Sequence, residues 1–570
     1  MKDNSENTLP GSADLVILGS GAAGLAVALT ASLEGLSCVV LEHDSKIGGT
    51  SARSSGTVWV PDNRFMRAEG MSDAGPAAEY LDALVGDRAP AKLQQAYLAN
   101  APQMQADLED RAGITFRPYP AAADYRQDMP GAAPGWRALE PLPFDGRELD
   151  EDFEHLAAPL PEHMVFGGMM VTRAEAARLL RVDRSISAML TAVGLVARFL
   201  YDRLKWSRGT RLVIGNALVA RLWLTCRKQG VQVVRNAETL RLLRDGGRVS
   251  GVECRIGGDV HKVEARRGVV LAGGGFPSSA EWRQRELPAP VAEYSPAAPG
   301  ATGRTIELGL EAGAVLGPDG LDNAQWFPSS VMTRKDGSTA IWPHIILDRA
   351  KPGAIAVDET GKRFVNEAVS YHEFVRGMYR ADAVPCWMIC DRRFVRKYGL
   401  GLIRPRAPSI RRYVRNGYIV EGQTLSELAS KIGVPGEALA ATVARFNRFT
   451  ETGRDEDFGR GETIYDRNNG DVSHTPNPSL GVIGRGPVYA VKLLPTPLGT
   501  SRGLLTDERA RALDANGAAI AGLYVCGNDM QSSLGGEYPG AGAQLGQAMT
   551  FGWLAAKDAA SAKEHPREET

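Results

Sequence analysis

Six cysteines in 570 residues, none spaced as C-x-x-C, leave neither a zinc ribbon nor a dithiol redox motif to build on. Cys38, Cys226, Cys254, Cys386, Cys390 and Cys526 sit in mostly apolar segments and read as buried packing residues of a reducing compartment. Charge of one sign is also lacking. Lys and Arg number 66 against 67 Asp and Glu, so no global field draws the chain to nucleic acid or to a strongly anionic membrane. Long apolar runs are missing too: the best candidate, residues 186–206, is broken by Arg198, Asp202, Arg203 and Lys205 and does not span a bilayer. Its Ile186, Met189, Leu190, Val193, Val196, Phe199 and Leu200 recur at helical spacing and predict a core-facing amphipathic helix, with a place on a membrane surface as the alternative. The stretch from Met1 to Gly11 is polar and carries no signal-type apolar segment, so a cytoplasmic chain, with peripheral membrane association left open, is the expectation.

Glycine is what the chain has in quantity, and its placement is specific. A buried-strand run, Ala13 to Leu18, leads directly into Gly19-Ser20-Gly21-Ala22-Ala23-Gly24 and an alanine-rich helical segment. Gly19 permits the tight turn, Gly21 lets backbone approach a pyrophosphate, and Gly24 lets helix and strand pack closely with the helix N-terminus facing the phosphates. A second strand, Ser37 to Leu41, ends in Glu42, placed to accept from ribose hydroxyls, with His43 beside it. The loop Gly48-Gly49-Thr50-Ser51 and Ser54-Ser55-Gly56 follows soon after and resembles the flavin-binding loop of the fumarate reductase and ketosteroid dehydrogenase superfamily, a resemblance that implies FAD rather than NAD. Val269 to Gly275, with Gly274 in its loop, reads as a further strand reaching the cofactor, and Gly522 to Asn528 as another that brings Gly527 and Asn528 to the ribityl chain. Gly542-Ala543-Gln544-Leu545 opens a helix whose amides face the flavin. The fold class expected is therefore α/β: a Rossmann-like, discontinuous FAD-binding domain, residues 1–321 and 483–570, with an inserted α+β substrate-capping domain over 322–482. One long helical run is expected from Thr424 to Phe446, with capping-box character at its start. Residues 127–162 read as extended loops, within a helical and loop segment over about 127–210. No cluster has metal-ligand spacing, and no metal is expected.

Three tyrosines stand out by context: Asp124-Tyr125 in a Pro/Gly-rich loop, Tyr371 shortly after Asn366-Glu367, and Tyr538 in Tyr538-Pro539-Gly540-Ala541-Gly542. With Gly48-Gly49-Thr50-Ser51 and Leu498-Gly499-Thr500 before Gly503-Leu504-Leu505-Thr506-Asp507, this motif order resembles the 3-ketosteroid Δ1-dehydrogenases of the fumarate reductase superfamily across nearly the whole chain. The resemblance implies a flavoenzyme that desaturates a 3-oxosteroid. Tyr538 and the Gly542 N–H would hold the ketone oxygen, Tyr371 would take the alpha proton with help from Tyr125, and the hydride would pass to flavin. It implies a small apolar cyclic ketone as substrate and an external acceptor such as a quinone. A smaller alicyclic ketone is the alternative substrate. Arg304, Ser501-Arg502 and Glu537 depart from the family pattern, and Arg502 and Glu537 are expected to pair with each other or with solvent. A fumarate-reductase-like enzyme is the first rival, weakened by Thr496-Pro497-Leu498 and Glu537-Tyr538-Pro539 where a dicarboxylate clamp would lie. In that rival Arg404 or Arg406 would be recruited, although a solvated or helix-capping role fits them better. The second rival is a non-catalytic flavoprotein.

Overall fold

The computed structural model describes residues 9–179, 185–345, 347–484 and 486–562. Two sheets organise them. The first has eight strands, and its central path runs Arg511–Leu513, Ala519–Val525, Asp259–Leu271, Ser12–Leu18, Cys38–Leu41 and Gln232–Val234. From Ala519–Val525 to Gln232–Val234 these strands are parallel, with Leu18 opposite Leu41 and Leu271 on its two sides. Strands covered on both faces read as continuous apolar runs, and Val16, Ile17, Val39, Val40, Val269 and Val270 are all fully buried. The helix Ala22–Leu33 is small and apolar all round because it is enclosed, packing against the C-terminal helix Ala543–Ser561. A Cβ on Gly552 would lie 3.0 Å from Ala23 O, so a glycine there allows the close crossing.

The second sheet is antiparallel, with six strands: Thr339–Pro343, Ala324–Thr333, Val488–Thr500, Cys386–Asp391 and Ala354–Val357 in order, and Ile419–Gly422 paired to Val488–Thr500. One face covers a separate small core of Ile355, Val357, Ile389, Leu428, Phe446 and Phe449. Strand pairing carries this sheet to Thr500, past the expected edge at residue 482, because Val488–Thr500 is its central strand. The α/β class, with a flavin-type sheet and an added α+β unit, is thus what the chain forms.

Three local expectations change. The run from Thr424 to Phe446 is two helices, Leu425–Ile432 and Gly436–Thr452. Thr424 Oγ1 caps the helix start, accepting from Glu427 N at 3.1 Å, while Glu427 accepts from Gln423 N, one residue before the cap, at 2.7 Å, a variant of the expected capping box. The first helix then stops at Gly433, left-handed at φ 76°, and Pro435 precedes the second. Residues 127–162 contain the strands Ala138–Pro141 and Phe144–Asp145 and a 3-10 segment, Gly146–His155, rather than loop throughout. The predicted helix at 186 forms as Ile186–Asp202, but its apolar stripe faces outward. Ile186 is 75% exposed, Leu190 64%, Val193 60% and Leu200 60%, whereas only Ala188, Phe199 and Asp202 are buried. The periodicity was a true sign of amphipathicity and carried no information about which side the protein lies on. Phe199 anchors the helix against Gly168 and Gly209, and Asp202 turns inward to accept from Thr210 N at 2.8 Å. No described helix is long and apolar enough to cross a membrane.

Candidate active site

One cavity of about 1080 Å³ runs from the C-terminal ends of the parallel strands to the second sheet. At the first end it is lined by Gly19, Gly21, Ala22, Ala23, Glu42, His43, Gly49, Thr50, Ser51, Ser54, Gly274, Gly527, Asn528, Gln544 and Leu545. Gly24, Gly48 and Gly56 shape this cradle from behind. A Cβ on Gly24 would lie 2.0 Å from Gly19 O, one on Gly48 2.8 Å from Val219 Cγ1, and one on Gly56 2.6 Å from Gly215 N, so each is a packing glycine rather than a surface for ligand. Gly21 differs, since a Cβ there meets only Ser51 Oγ at 3.5 Å and otherwise opens to the cavity. Glu42 accepts from Ser20 N at 2.9 Å, Ser20 Oγ at 2.5 Å and Asp44 N at 2.8 Å. A carboxylate has about four acceptor positions, so one direction is left for a ribose hydroxyl. The helix start Ala22 N donates to Ser51 Oγ at 3.0 Å, which fixes residues 48–51, expected as loop but forming the start of a short helix, Gly49–Arg53, beside the phosphate turn. Gln544 Nε2 donates to Gln325 Oε1 at 2.5 Å, a partner supplied by the second sheet. These residues fit an extended dinucleotide: strand ends, a glycine turn, a helix N-terminus and one acid in a single groove. Sequence reasoning missed Arg53, Thr305 and residues 296–302 of the same wall, which lie in segments without strand-turn-helix patterning.

At the other end the three tyrosines meet. The Tyr125 hydroxyl donates to the Tyr371 hydroxyl at 2.9 Å, and ring centroids lie 5.4 Å apart for Tyr125 and Tyr538 and 5.5 Å for Tyr371 and Tyr538. All three are buried and line the cavity beside Gly542. Tyr371 is the first residue of the helix Tyr371–Arg380, started by Ser370. Gly542 is left-handed at φ 92° and precedes the helix Ala543–Ser561; a Cβ there would strike Thr57 O at 2.3 Å. No described residue accepts from the Gly542 N–H. Burial, with the neighbouring Tyr125 and Tyr538 phenols, pushes the Tyr371 phenol well above its ordinary value. Burial also pushes Tyr538 up, to about 12, against a hydrogen bond with Tyr371 that lowers it. The resting cluster is therefore neutral and internally hydrogen-bonded. Two further aromatics complete it, Tyr465 at 5.1 Å from Tyr125 and Phe327 at 4.8 Å from Tyr371. Neither carries a local sequence signal.

The Tyr125 and Tyr538 loops are stitched together from behind. Pro539 O accepts from Tyr125 N at 2.8 Å and from Tyr80 Oη at 2.7 Å, and Tyr80 in turn accepts from Arg126 N at 3.2 Å. Asp124 accepts from Trp59 Nε1 at 2.9 Å, Ala133 N at 2.9 Å and Arg137 at 2.5 Å, and Arg137 is fully buried between Asp124 and Asp73. Burial raises the Asp124 carboxyl to about 6 even though Arg137 pulls it down. Gly540 has no room for a Cβ, which would lie 2.6 Å from Trp59 Nε1.

The charged departures are structural. Arg502 pairs with Glu286 and Asp319 at 2.5 Å each, and Glu537 with Arg376 at 2.7 Å and Arg88 at 3.2 Å, so the expected contact between Arg502 and Glu537 is replaced by separate acid partners. Arg304 holds Glu307, Glu311 and Leu240 O. Arg404 reaches the cavity rim, bonded to Glu162 O and Met164 O, rather than capping a helix. His372, Glu373 and Glu537 form a compact group of potential metal ligands, but Arg376 already bridges both carboxylates, at 3.2 Å and 2.7 Å.

This geometry agrees with comparisons to known proteins. The FAD binding domain family model matches residues 14–545. The 3-oxosteroid 1-dehydrogenase of Mycolicibacterium smegmatis is 37% identical, covering 96% of this chain and 97% of its own. The 4-oxocyclohexanecarboxylate 2-dehydrogenase of Sinomonas cyclohexanicum is 37% identical over 95% and 92% of the two chains. The solved 3-ketosteroid Δ1-dehydrogenase from Sterolibacterium denitrificans, in complex with 1,4-androstadiene-3,17-dione, superposes with a TM-score of 0.90 at 34% identity, covering 97% of this chain and 100% of that one. Cradle, tyrosine cluster and near-full-length similarity converge: the chain is an FAD-dependent oxidoreductase that belongs to the 3-ketosteroid Δ1-dehydrogenase family.

Proposed function

We propose that this chain introduces a C=C bond beside the ketone of a 3-oxosteroid, by 1,2-desaturation. The observation that carries the reading is the packing of Tyr125, Tyr371 and Tyr538 around one end of the cavity whose other end is the dinucleotide cradle. The Tyr538 hydroxyl and the Gly542 N–H bind the ketone oxygen and stabilise the charge that grows there. Tyr371 removes the alpha proton, and the Tyr125 hydroxyl, which already donates to it, stabilises the phenolate that this step requires. Bound FAD supplies the hydride acceptor for the beta carbon, and a quinone-type acceptor reoxidises it. The cradle residues named above, with the sheet boundary near residue 322, serve this cofactor.

A smaller alicyclic ketone is the second reading, supported by the Sinomonas relative at equal identity. The apolar wall favours the steroid: Leu160, Val165, Leu179, Trp342, Leu400 and Ile403 line the same cavity as the tyrosines. The fumarate-reductase reading fares worse, since Arg126 and Arg376 beside the tyrosine loops are held by Asp128 and by Asp322 and Glu537. Anaerobic titration decides among the three. Bleaching of the flavin by 4-androstene-3,17-dione is expected; bleaching by cyclohexanones alone moves the assignment to the alicyclic class, and reoxidation of the reduced enzyme by fumarate would reject desaturation.

We further propose that the outward stripe of helix Ile186–Asp202, continued by Leu204 and by Phe166 on the adjoining turn, rests on a membrane surface from which an apolar substrate enters. Flotation with anionic liposomes is expected to carry the protein; full recovery in the soluble fraction overturns this.

A further inference from the structure

The cavity has a second polar point on its far wall. His163 ends the turn Pro161–His163, which packs against the strand Thr339–Pro343, and its ring meets Trp342 edge-on at 5.4 Å. Both residues line the cavity. Phe327, which touches Tyr371, lies on the neighbouring strand Ala324–Thr333. From Tyr371 and Phe327 the wall continues onto the neighbouring strand, where Trp342 stands opposite Ser330, three residues along from Phe327, and meets His163. The imidazole thus lines the same cavity from an element separate from those that carry Tyr538 and Gly542.

The His163 side chain is partly exposed, and neither ring nitrogen has a hydrogen-bond partner among the described residues. The accessible side of the ring opens to the cavity, where a ligand oxygen would meet an unpaired donor. Burial, reinforced by the nearby Arg404 guanidinium, pushes the imidazole down to about 4, so at neutral pH it offers one N–H and one lone pair without charge. Arg404 lies over the Trp342 ring at 5.1 Å and also lines the cavity. The surrounding wall, Leu160, Val165, Leu179 and Leu347, is apolar, and within it the imidazole is a neutral donor beside the Arg404 guanidinium, which is already bonded to Glu162 O and Met164 O.

We propose that His163 donates a hydrogen bond to an oxygen at the end of the substrate remote from the reacting ketone, and so selects steroids bearing a ketone or carboxylate there over those ending in hydrocarbon. This rests on the steroid reading above. If Trp342 alone accounts for the ring's position, no such preference exists.

The test compares wild type and His163→Phe on three compounds that share the reacting ring: 4-androstene-3,17-dione, its analogue lacking the 17-oxygen, and the 17-carboxylate. Wild type is expected to show a KM lower by roughly tenfold for an oxygenated compound, the worth of one buried hydrogen bond. The ketone and carboxylate arms identify which oxygen is taken. His163→Phe should lose that preference while keeping its flavin and its rate with the deoxy compound. Equal KM values in wild type, or a preference that survives in His163→Phe, overturn the subsite, and the wild-type comparison decides alone if the variant does not fold. Failure of wild type to reduce its flavin with any of the three overturns the steroid reading and the subsite together.

Discussion

In the dinucleotide cradle the phosphate turn offers glycine backbone, at Gly19 and Gly21, and the start of one helix, whereas at the other end of the cavity the chemistry-bearing groups are side chains drawn from residues 125, 371 and 538. The strand, glycine turn, helix and second strand at the heart of the cradle lie within some thirty residues, and Gly274, Gly527, Asn528 and Gln544 join them from later strands and the last helix. The tyrosine end needs two loops and a helix from both sheets to meet, and it is stitched by Pro539, Tyr80, Asp124 and Arg137. Damage to the first should therefore cost cofactor, and damage to the second should cost rate while cofactor stays.

The largest expected effect separates two glycines of one motif. Gly24→Val forces a side chain against Gly19 O, which a Cβ would approach to 2.0 Å, so the variant is expected to lose both flavin and thermal stability. Gly21→Val meets no backbone, and a Cβ there faces cavity. It should fold with near-native melting but retain no flavin, because its methyls fill the space of the pyrophosphate. Flavin absorbance and apo-protein melting measured together check this, and equal melting losses in the two variants would remove the distinction between packing and ligand-facing glycines.

Next in size is Tyr371→Phe. Removing a positioned base typically costs about 100-fold to 10,000-fold in the step it serves. Stopped-flow flavin reduction by substrate should fall by that much, with flavin content and ketone affinity unchanged. Wild-type reduction rates in this variant would refute the assignment of the base. Tyr538→Phe should cost on the order of 100-fold and, unlike Tyr371→Phe, weaken binding of phenolic ligands that mimic the enolate.

The same contrast explains what the sequence could disclose. The strand from Ser12, the turn at Gly19 to Gly24 and Glu42 were legible because local chemistry dictates them: apolar runs, glycine conformations and a terminal acid. The three tyrosines were legible only through resemblance, since nothing in the composition around Tyr125 says that it will lie 2.9 Å from a hydroxyl 246 residues away. Phe327, Tyr465 and His163 were not legible at all, because each is functional only through what tertiary packing sets beside it. Helix Ile186–Asp202 shows the limit of periodicity, which gave the stripe correctly and its direction wrongly. The break at Gly433 and Pro435 was written in the sequence and was overridden by apolar spacing on either side of it.

Tyr125→Phe is the mildest change and the one most sensitive to how the cluster ionises. It removes the hydroxyl that donates to Tyr371 but leaves Tyr371 itself, Tyr538 and Gly542 in place, so a loss smaller than that of Tyr371→Phe is expected. Tyr371 is neutral at rest because burial and its two phenol neighbours hold its pKa well above the ordinary tyrosine value of about 10. The active form is the deprotonated one, so flavin reduction should climb as pH rises from 7 toward 10 without reaching a plateau. With Tyr371 still far from half-ionised over that window, the variant should climb in parallel, and its deficit should stay nearly constant. Convergence of the two profiles below pH 10 would mean that Tyr371 ionises more readily than its enclosure allows, and would place the hydroxyl of Tyr125 in substrate binding rather than in support of the base.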